Sequence, residues 1–307
     1  MVAEACLKKT GKLLEMGVEE LAESLIKITS RLPEKEAEQI RQHISSTRVK
    51  TLGLITNAAQ DLNNSNSQPQ IFTQGIIGGA PLLPPFYKWP DDRYNQPMIF
   101  LAQFDLTSLP AVHQGAPEDG LITIFRSAAA ASLNSKDRKG FAITYIKESD
   151  RKTATRVSHP DNVHLPATAF SGGVTWTIEK TLNGLKSNLE LPFDLQKELD
   201  DWISSFNALS KCSAQLFGSN VSGLQQLQET CAFAFNGISY NSARAADPHY
   251  AHLLTDAREW LLLARIGEKT LFGASHPVSE TLVLIREQDL QERLFERAWM
   301  IVRTAAQ

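Results

Sequence analysis

The chain has 307 residues, of which 42% are hydrophobic and 21% are charged, a balance typical of a globular protein with at least one sizeable core. Lysine and arginine total 31 against 34 aspartates and glutamates, which gives a net charge of -3. Because no long segment carries a basic excess, the composition argues against nucleic acid as a partner.

The hydropathy pattern argues against secretion and membrane insertion. Residues 1–17 lack the basic start and the continuous apolar core of a secretory signal. No window reaches the roughly 18 uninterrupted apolar residues that a membrane-spanning helix needs. The three scattered cysteines are too few for a disulfide framework, which fits a reducing compartment. We therefore expect a cytoplasmic protein.

Helical patterns dominate residues 1–62, which we interpret as an N-terminal helical unit. Pro33 ends a first helix and begins a second one, "PEKEAEQIRQHI", and a third helical stretch is predicted over residues 47–62. The apolar stripe on the first helix, in residues 14–32, either packs within the protein or forms a face for self-association or partner docking. Its members are spaced three or four residues apart: Leu14, Val18, Leu21, Leu25, Ile28 and Leu32.

A polar tract, "NNSNSQPQ" at residues 63–70, is the best linker candidate, and residues 71–307 are predicted to form the main domain. This domain begins with strand patterns and then mixes helices with strands in blocks, which indicates an α+β fold. The segments "IFLAQFDL" and "GLITIF" faintly resemble "EWLLLARI" and "TLVLIRE", which leaves two alternatives open: two related half-sheets, or a chance similarity between unrelated strands. Strands are predicted at 98–106, 120–127, 141–149, 259–267 and 280–287, and helices at 192–209 and 288–306.

The stretch "GGAPLLPPFYKWP", residues 78–90, cannot lie in the middle of a sheet or a helix. Each proline removes a backbone donor and fixes φ, so the segment is predicted to be extended, at a surface or an edge. Its aromatic residues Phe86, Tyr87 and Trp89 form either a lid packed over the sheet or the rim of a recognition site.

Gln103 and Asp105 lie on the same face of the predicted strand "MIFLAQFDL". They line a shallow polar site beside the proline-rich segment, or they belong to the wet face of an antiparallel strand, or Asp105 caps the turn in "DLTSLP". We predict binding residues among these two and the three aromatic residues above. No catalytic residue is predicted.

One constellation resembles a metal site. His249 and His252 lie three residues apart and Asp256 follows four later, so the three would share one face of a helix. Such spacings also arise by chance in a solvated first helical turn. We expect no metal and no cofactor, and keep these residues as weak candidates.

The order of motifs resembles the YwqG-like family of uncharacterised bacterial proteins over about residues 70–303. The resemblance rests on Gly78-Gly79, Pro81, Pro84, Trp89-Pro90, Pro97 before "MIFLAQFDL", Gly120, and the later segments "AQLFGSNVSGLQ" and "LVLIREQDLQERLFERAWMIV". It implies an intracellular protein with a core of mainly antiparallel sheet, flanking helices and no established activity. Arg265 and Gly267 depart from the Gln and Asp usual in the family's late strand, and the N-terminal helices lie outside its pattern.

Members of that family occur near polymorphic toxin and secretion loci, which implies by analogy a toxin-neutralising or accessory role. We therefore expect a non-enzymatic, intracellular protein-binding protein, an immunity or accessory protein that occludes a toxin or effector partner. The alternative is an enzyme of unknown reaction that uses a polar site on the sheet. Such an enzyme could work with or without a metal ion.

Overall fold

The structure, a computed structural model, describes residues 21–56, 74–129, 138–178, 189, 191–209 and 213–304. Its helices are α1 (residues 21–29), α2 (Glu34–Thr47), α3 (Glu148–Arg151), α4 (Phe193–Leu209), α5 (Leu224–Phe235), α6 (Ser242–Ala245), α7 (Ala251–Asp256), α8 (Glu268–Phe272) and α9 (Glu287–Gln291). Its strands are β1 (Val49–Thr56), β2 (Gly75–Ile77), β3 (Leu82–Leu83), β4 (Ile99–Asp105), β5 (Leu121–Arg126), β6 (Phe141–Ile146), β7 (Thr155–Arg156), β8 (Thr168–Thr177), β9 (Ala214–Leu216), β10 (Trp260–Ile266), β11 (Val278–Arg286) and β12 (Trp299–Thr304).

The strands confirm the predicted α+β class. Ten of the described strands form one sheet in the order β12-β11-β10-β9-β1-β8-β2-β4-β5-β6, and β3 pairs with β7 in a second, two-stranded sheet. The pairs β4/β5, β5/β6, β10/β11 and β11/β12 join strands that follow one another in the chain, and all four are antiparallel. Hairpin-type connections of this kind are typical of α+β proteins.

Two related half-sheets are present and share one strand arrangement. The first half-sheet consists of neighbouring strands in the order β2-β4-β5-β6, and the second in the order β9-β10-β11-β12. In both, strands that are neighbours in the sheet are also consecutive among the half-sheet's strands in the chain. Each half-sheet has a register shift at one residue, Leu101 in β4 and Leu263 in β10. The carbonyl oxygen of that residue accepts a hydrogen bond from Gly78 N–H in the first half-sheet (2.9 Å) and from Phe217 N–H in the second (3.0 Å). The sequence similarity therefore reflects an internal structural repeat.

The chain divides into two compact units. Unit 1 takes its described residues from 21–53, 173–209 and 218–224, and unit 2 takes the others. The helices α1 and α2 therefore belong to one unit with α4, from the middle of the chain. The predicted linker, residues 63–70, lies outside the described residues, so the domain boundary placed there stays a prediction.

The prediction of a third helix over residues 47–62 is wrong, because α2 ends at Thr47 and Val49–Thr56 is strand β1. Val49 and Thr51 are β-branched, and such residues favour an extended backbone. The Thr51 hydroxyl lies 2.7 Å from that of Thr177 in β8, and both side chains are fully buried. Residues 57–62 lie outside the described part of the chain.

The prediction of a long helix over residues 288–306 is also wrong. Helix α9 ends at Gln291, Arg293 adopts a positive φ of 60°, and Leu294 N–H donates to the Asp289 carbonyl, a common way to end a helix. Strand β12 then pairs with β11, since the β-branched segment "IVRT" favours a strand over a helix. Residues 305 and 306 lie outside the described part.

Unit 1 is built around an apolar cluster that α1, α2 and α4 share. The described members of the predicted stripe, Leu21, Leu25, Ile28 and Leu32, all pack in this cluster. The stripe is thus used for internal packing, whereas Leu14 and Val18 lie outside the described residues. Self-association through residues 14–32 stays a prediction.

Unit 2 holds a second cluster that packs the proline-rich segment against the first half-sheet. Its buried residues are Ile76, Leu83, Met98, Phe100, Leu121, Phe125 and Ile146.

No helix within the described ranges has the length and the apolar character needed to cross a membrane.

Candidate functional site

The proline-rich segment, residues 78–90 of unit 2, begins with two glycines. Any other residue would strain the backbone at these two positions. Gly78 and Gly79 have φ values of 68° and 71°, a left-handed conformation that side chains disfavour. A Cβ atom on Gly78 would lie 2.3 Å from the carbonyl oxygen of Pro166. The backbone of residues 165–166 therefore packs directly on Gly78.

Gln103 fastens the same segment to the sheet. Its side-chain oxygen accepts a hydrogen bond from Leu82 N–H (2.9 Å), and its amide donates to the Leu82 carbonyl (2.9 Å) and to the Thr123 hydroxyl (2.9 Å). The Gln103 side chain thereby takes the place of a neighbouring strand for Leu82. It is 3% exposed, so it does not lie on a wet strand face. Its full set of hydrogen bonds indicates a positioning role.

Tyr87 and Trp89 turn inward from the loop formed by residues 84–97, which we call the aromatic loop. The ring centroids of both lie close to that of Phe125, at 6.4 Å for Tyr87 and 5.1 Å for Trp89. The Trp89 indole N–H donates to the Met98 carbonyl (2.8 Å), and burial raises the pKa of Tyr87, whose hydroxyl lies 3.1 Å from that of Thr144. Both residues are half-buried and pack as a lid over the sheet.

Phe86 and Tyr94 point into solvent from the same loop, with 71% and 61% of their surface exposed. The turn that carries Tyr94 is closed by the buried Asp92, whose carboxylate accepts hydrogen bonds from Tyr94 N–H (2.8 Å), Gln96 N–H (3.1 Å) and the Ser127 hydroxyl (2.6 Å). Burial alone would raise the pKa of Asp92, but these hydrogen bonds lower it below its usual range. Asp92 thus holds the turn as a carboxylate.

A second loop, residues 157–167, lies against the aromatic loop. The His159 ring stands edge-on to Trp89 with centroids 5.4 Å apart, and its Nε2 lies 3.4 Å from the Pro97 carbonyl oxygen. This loop carries Val163, which is 52% exposed. We call the two exposed aromatic residues of the aromatic loop, Phe86 and Tyr94, the aromatic surface.

Asp105 lies apart from that surface, at the end of β4. Its carboxylate accepts a hydrogen bond from Arg151 (2.5 Å) and one from Thr107 N–H (3.2 Å), which confirms that it caps the turn. Burial raises the pKa of Asp105, while Arg151 acts in the opposite direction. Gln103 and Asp105 share a strand, but each is bound to its own partners, so the structure does not bring them into one site.

A buried ion pair that the sequence analysis did not identify is linked to the Asp92 turn. Arg126 donates to both carboxylate oxygens of Glu268, at 2.5 and 3.2 Å, and Thr281 donates to one of them at 2.5 Å. Arg126 also donates to the carbonyl of Ser127, whose hydroxyl binds Asp92. Arg126 ends the apolar strand "LITIFR", a position where an arginine is usually exposed, so the sequence indicates neither its burial nor its acidic partner.

The three candidate metal ligands do not form a metal site. His249 lies in a short 3-10 helix, Pro248–Tyr250, while His252 and Asp256 lie in α7, and all three are exposed. Across the residues that the structure describes, no group of three or more His, Cys, Asp or Glu side chains is placed to hold a metal ion.

Curated proteins include no significant match to this chain. Residues 76–303, well over half of the chain, match a protein family described as a domain of unknown function, DUF1963. That range includes the aromatic loop, the Gln103 contacts and both partners of the buried ion pair, and on this match the chain belongs to the DUF1963 family.

Proposed function

We propose that the protein is a non-enzymatic, intracellular protein-binding protein that contacts its partner through the aromatic surface. The observation that supports this proposal is the exposure of Phe86 and Tyr94 on one loop. Aromatic side chains supply much of the binding energy at protein interfaces, because they bury a large area when a partner covers them.

The aromatic loop is also held in its conformation without a bound partner. Gln103 holds its entry at Leu82, Trp89 is anchored in the core, and Asp92 closes the turn at Tyr94. A loop held in this way has little conformational freedom left to lose on association, so more of the interface energy contributes to affinity.

We take the class of partner from the resemblance to the YwqG-like family, and membership of that family is part of what we propose. On that analogy the partner is a toxin or effector domain, and binding neutralises it by covering its working site. A complex of one protein with one partner, burying about 1,600 Å² in total, would be of ordinary size for a specific interface.

Affinity capture from the native host, followed by reconstitution with the purified partner, tests the proposal. The bait is the full chain, either unchanged or carrying both Phe86→Ala and Tyr94→Ala. The matched control is Phe193→Ala, which removes an aromatic side chain that is 82% exposed in unit 1. We expect a stoichiometric protein that the double variant loses and the control retains.

Both variants change exposed side chains, so circular dichroism and thermal unfolding should show an unchanged fold. Capture that is equal for all three baits would contradict the aromatic surface as the contact. Failure of the unchanged chain to bind any protein stoichiometrically would contradict the proposed function itself.

A further inference from the structure

The tip of the aromatic loop, residues 92–96, is closed by one carboxylate. Asp92 Oδ1 accepts hydrogen bonds from Tyr94 N–H (2.8 Å) and Gln96 N–H (3.1 Å). The Asp92 backbone N–H donates to the Gln96 carbonyl (2.8 Å), and Asn95 N–H donates to the Asp92 carbonyl (3.0 Å). All four bonds lie within the tip, so they fix its shape but not its placement on the sheet.

The second oxygen of this carboxylate connects the tip to the sheet. Asp92 Oδ2 accepts a hydrogen bond of 2.6 Å from the hydroxyl of Ser127, the residue that follows strand β5. Both partners are buried, with 8% of Asp92 and 2% of Ser127 exposed, so water competes little for this bond. Because a carboxylate is rigid, the bond at Oδ2 also sets the direction in which Oδ1 meets Tyr94 and Gln96.

The direction of the Ser127 hydrogen bond follows from its two partners. A hydroxyl has one hydrogen to donate and can also accept, whereas an ionised carboxylate can only accept. Ala129 N–H donates to the Ser127 oxygen (3.1 Å), which leaves the hydroxyl hydrogen for Asp92. Burial acts to raise the pKa of Asp92, but the bonds from Ser127, Gln96 and Tyr94 lower it, so the carboxylate is ionised.

The backbone of Ser127 is fixed on both sides of this hydroxyl. Its N–H donates to the Gly140 carbonyl (2.8 Å), next to strand β6, and its carbonyl accepts from Arg126 Nη1 (3.2 Å). Arg126 is held in turn by Glu268 in α8. Ser127 therefore provides a fixed donor that cannot follow Asp92 if the tip moves.

We propose that Ser127 is a positioning residue of the aromatic surface: its hydroxyl orients the Asp92 carboxylate and thereby the turn that carries Tyr94. The consequence for binding rests on the proposed function, because the placement of Tyr94 matters when a partner covers it. Without the hydroxyl, Asp92 Oδ2 has no donor among the described residues, and a buried carboxylate oxygen without a partner is costly. The carboxylate then turns toward water, and the tip loosens.

The other half of the aromatic surface does not depend on this bond. Phe86 lies in a separate turn at the start of the loop, which Tyr87 N–H closes by donating to the Pro84 carbonyl (2.9 Å). Loss of the Ser127 hydroxyl should therefore affect the contribution of Tyr94 to binding and leave that of Phe86 unchanged.

NMR on the full chain tests the positioning role without a partner. In Ser127→Ala, the pKa of Asp92, measured from its carboxyl carbon shift, should rise. Hydrogen exchange at the Tyr94 and Gln96 amides should become about tenfold faster, as expected when a hydrogen bond to a charged group is lost. Ser127→Cys keeps a weak donor at the same position, so its effects should lie between those of serine and alanine.

The matched control is Ser279→Ala. It removes a hydroxyl that donates to the Arg303 carbonyl (2.8 Å) from strand β11. The pKa of Asp92 and the exchange of the Tyr94 and Gln96 amides should stay unchanged in this control. Arg93, which also lowers the pKa of Asp92, is present in every variant.

A partner captured with the unchanged chain tests the consequence for binding. Ser127→Ala should weaken its affinity about tenfold at most, since it loosens one of two aromatic contacts. In a Tyr94→Ala background the same change should have little further effect, whereas in a Phe86→Ala background it should keep its full effect.

The two experiments separate the possible failures. An unchanged pKa of Asp92 with unchanged exchange at Tyr94 and Gln96 would overturn the positioning role, whether or not a partner is found. Equal binding by Ser127→Ala and the unchanged chain, or an undiminished loss in the Tyr94→Ala background, would overturn its role in presenting Tyr94. Failure to capture any protein would contradict the proposed function, and the NMR result would still decide the positioning role.

Discussion

The carboxylate of Glu268 lies 2.5 Å from the guanidinium of Arg126, although 142 residues separate the two in the chain. Their side chains are 0% and 4% exposed, so both charges have left water. Each charge would be costly to bury alone. The ion pair offsets this cost together with two hydrogen bonds, one that Thr281 donates to Glu268 and one that Arg126 donates to the Ser127 carbonyl. The contact joins strand β5 of the first half-sheet to α8, which lies between β10 and β11 of the second half-sheet.

Removal of one partner from this pair should be strongly destabilising. Glu268→Gln leaves the Arg126 charge buried and uncompensated, so we expect a loss of about 3–5 kcal/mol in the free energy of unfolding, measured with urea. The double variant Arg126→Met with Glu268→Leu should recover much of that loss, because both charges are then absent. As a control, Arg265→Met should cost about 1 kcal/mol or less, since Arg265 is partly exposed and its partner Glu280 keeps a second arginine, Arg303. If Glu268→Gln lowered the free energy of unfolding no more than Arg265→Met does, the prediction would be refuted.

The Gln103 contacts lead to a second prediction. Gln103→Met keeps the length of the side chain but leaves the Leu82 N–H and carbonyl without their partner. We expect a loss of about 2 kcal/mol and faster hydrogen exchange at the Leu82 amide. Gln96→Met changes an exposed glutamine of the aromatic loop and should have neither effect. Unchanged exchange at Leu82 in Gln103→Met would show that the side chain does not hold the segment.

Strands β4, β5, β6, β10 and β11 could be predicted from sequence, because their branched and aromatic residues are bounded by Gly, Pro, Asn and Asp. Two elements were missed for a common reason. In β1 and β12, residues that favour strands adjoin helical sequence, and the assignment depends on pairing with another strand. The partners are β8 and β9 for β1 and β11 for β12, as in the register Leu284 to Trp299.

The candidate site was located only in part. The proline pattern correctly indicated a surface segment, but adjacent aromatic residues have opposite surroundings: Phe86 is exposed, whereas Tyr87 packs on Phe125. The partners of Gln103 and Arg126 depend on the tertiary fold, and no local pattern specifies them. Asp105 is the exception, because the turn that it caps lies next to it in sequence.

Two glycines with nearly the same backbone conformation should respond differently to substitution. Gly78 and Gly237 have φ values of 68° and 73°, so a change to alanine imposes about 1–2 kcal/mol of backbone strain at either position. At Gly237 nothing lies within 4 Å of the added Cβ, whereas at Gly78 the Pro166 oxygen would lie 2.3 Å away. Gly78→Ala should therefore lower the free energy of unfolding by clearly more than Gly237→Ala. Equal losses would mean that residues 165–166 move aside freely.

Two tyrosines should make the stability of unit 2 fall at alkaline pH. Burial and a hydrogen bond donated to Asp119 raise the pKa of Tyr145 to about 12, and burial with a hydrogen bond donated to Glu229 raises that of Tyr240 to about 12. In the unfolded chain tyrosine ionises near pH 10, so from pH 10 to 12 the unfolded state releases protons that the folded state retains, and stability decreases as the pH rises. The double variant Tyr145→Phe with Tyr240→Phe should show a shallower decrease over this range in urea unfolding. Lysine residues titrate in both proteins, so the difference between the two curves isolates the tyrosines, and identical curves would contradict the raised pKa values.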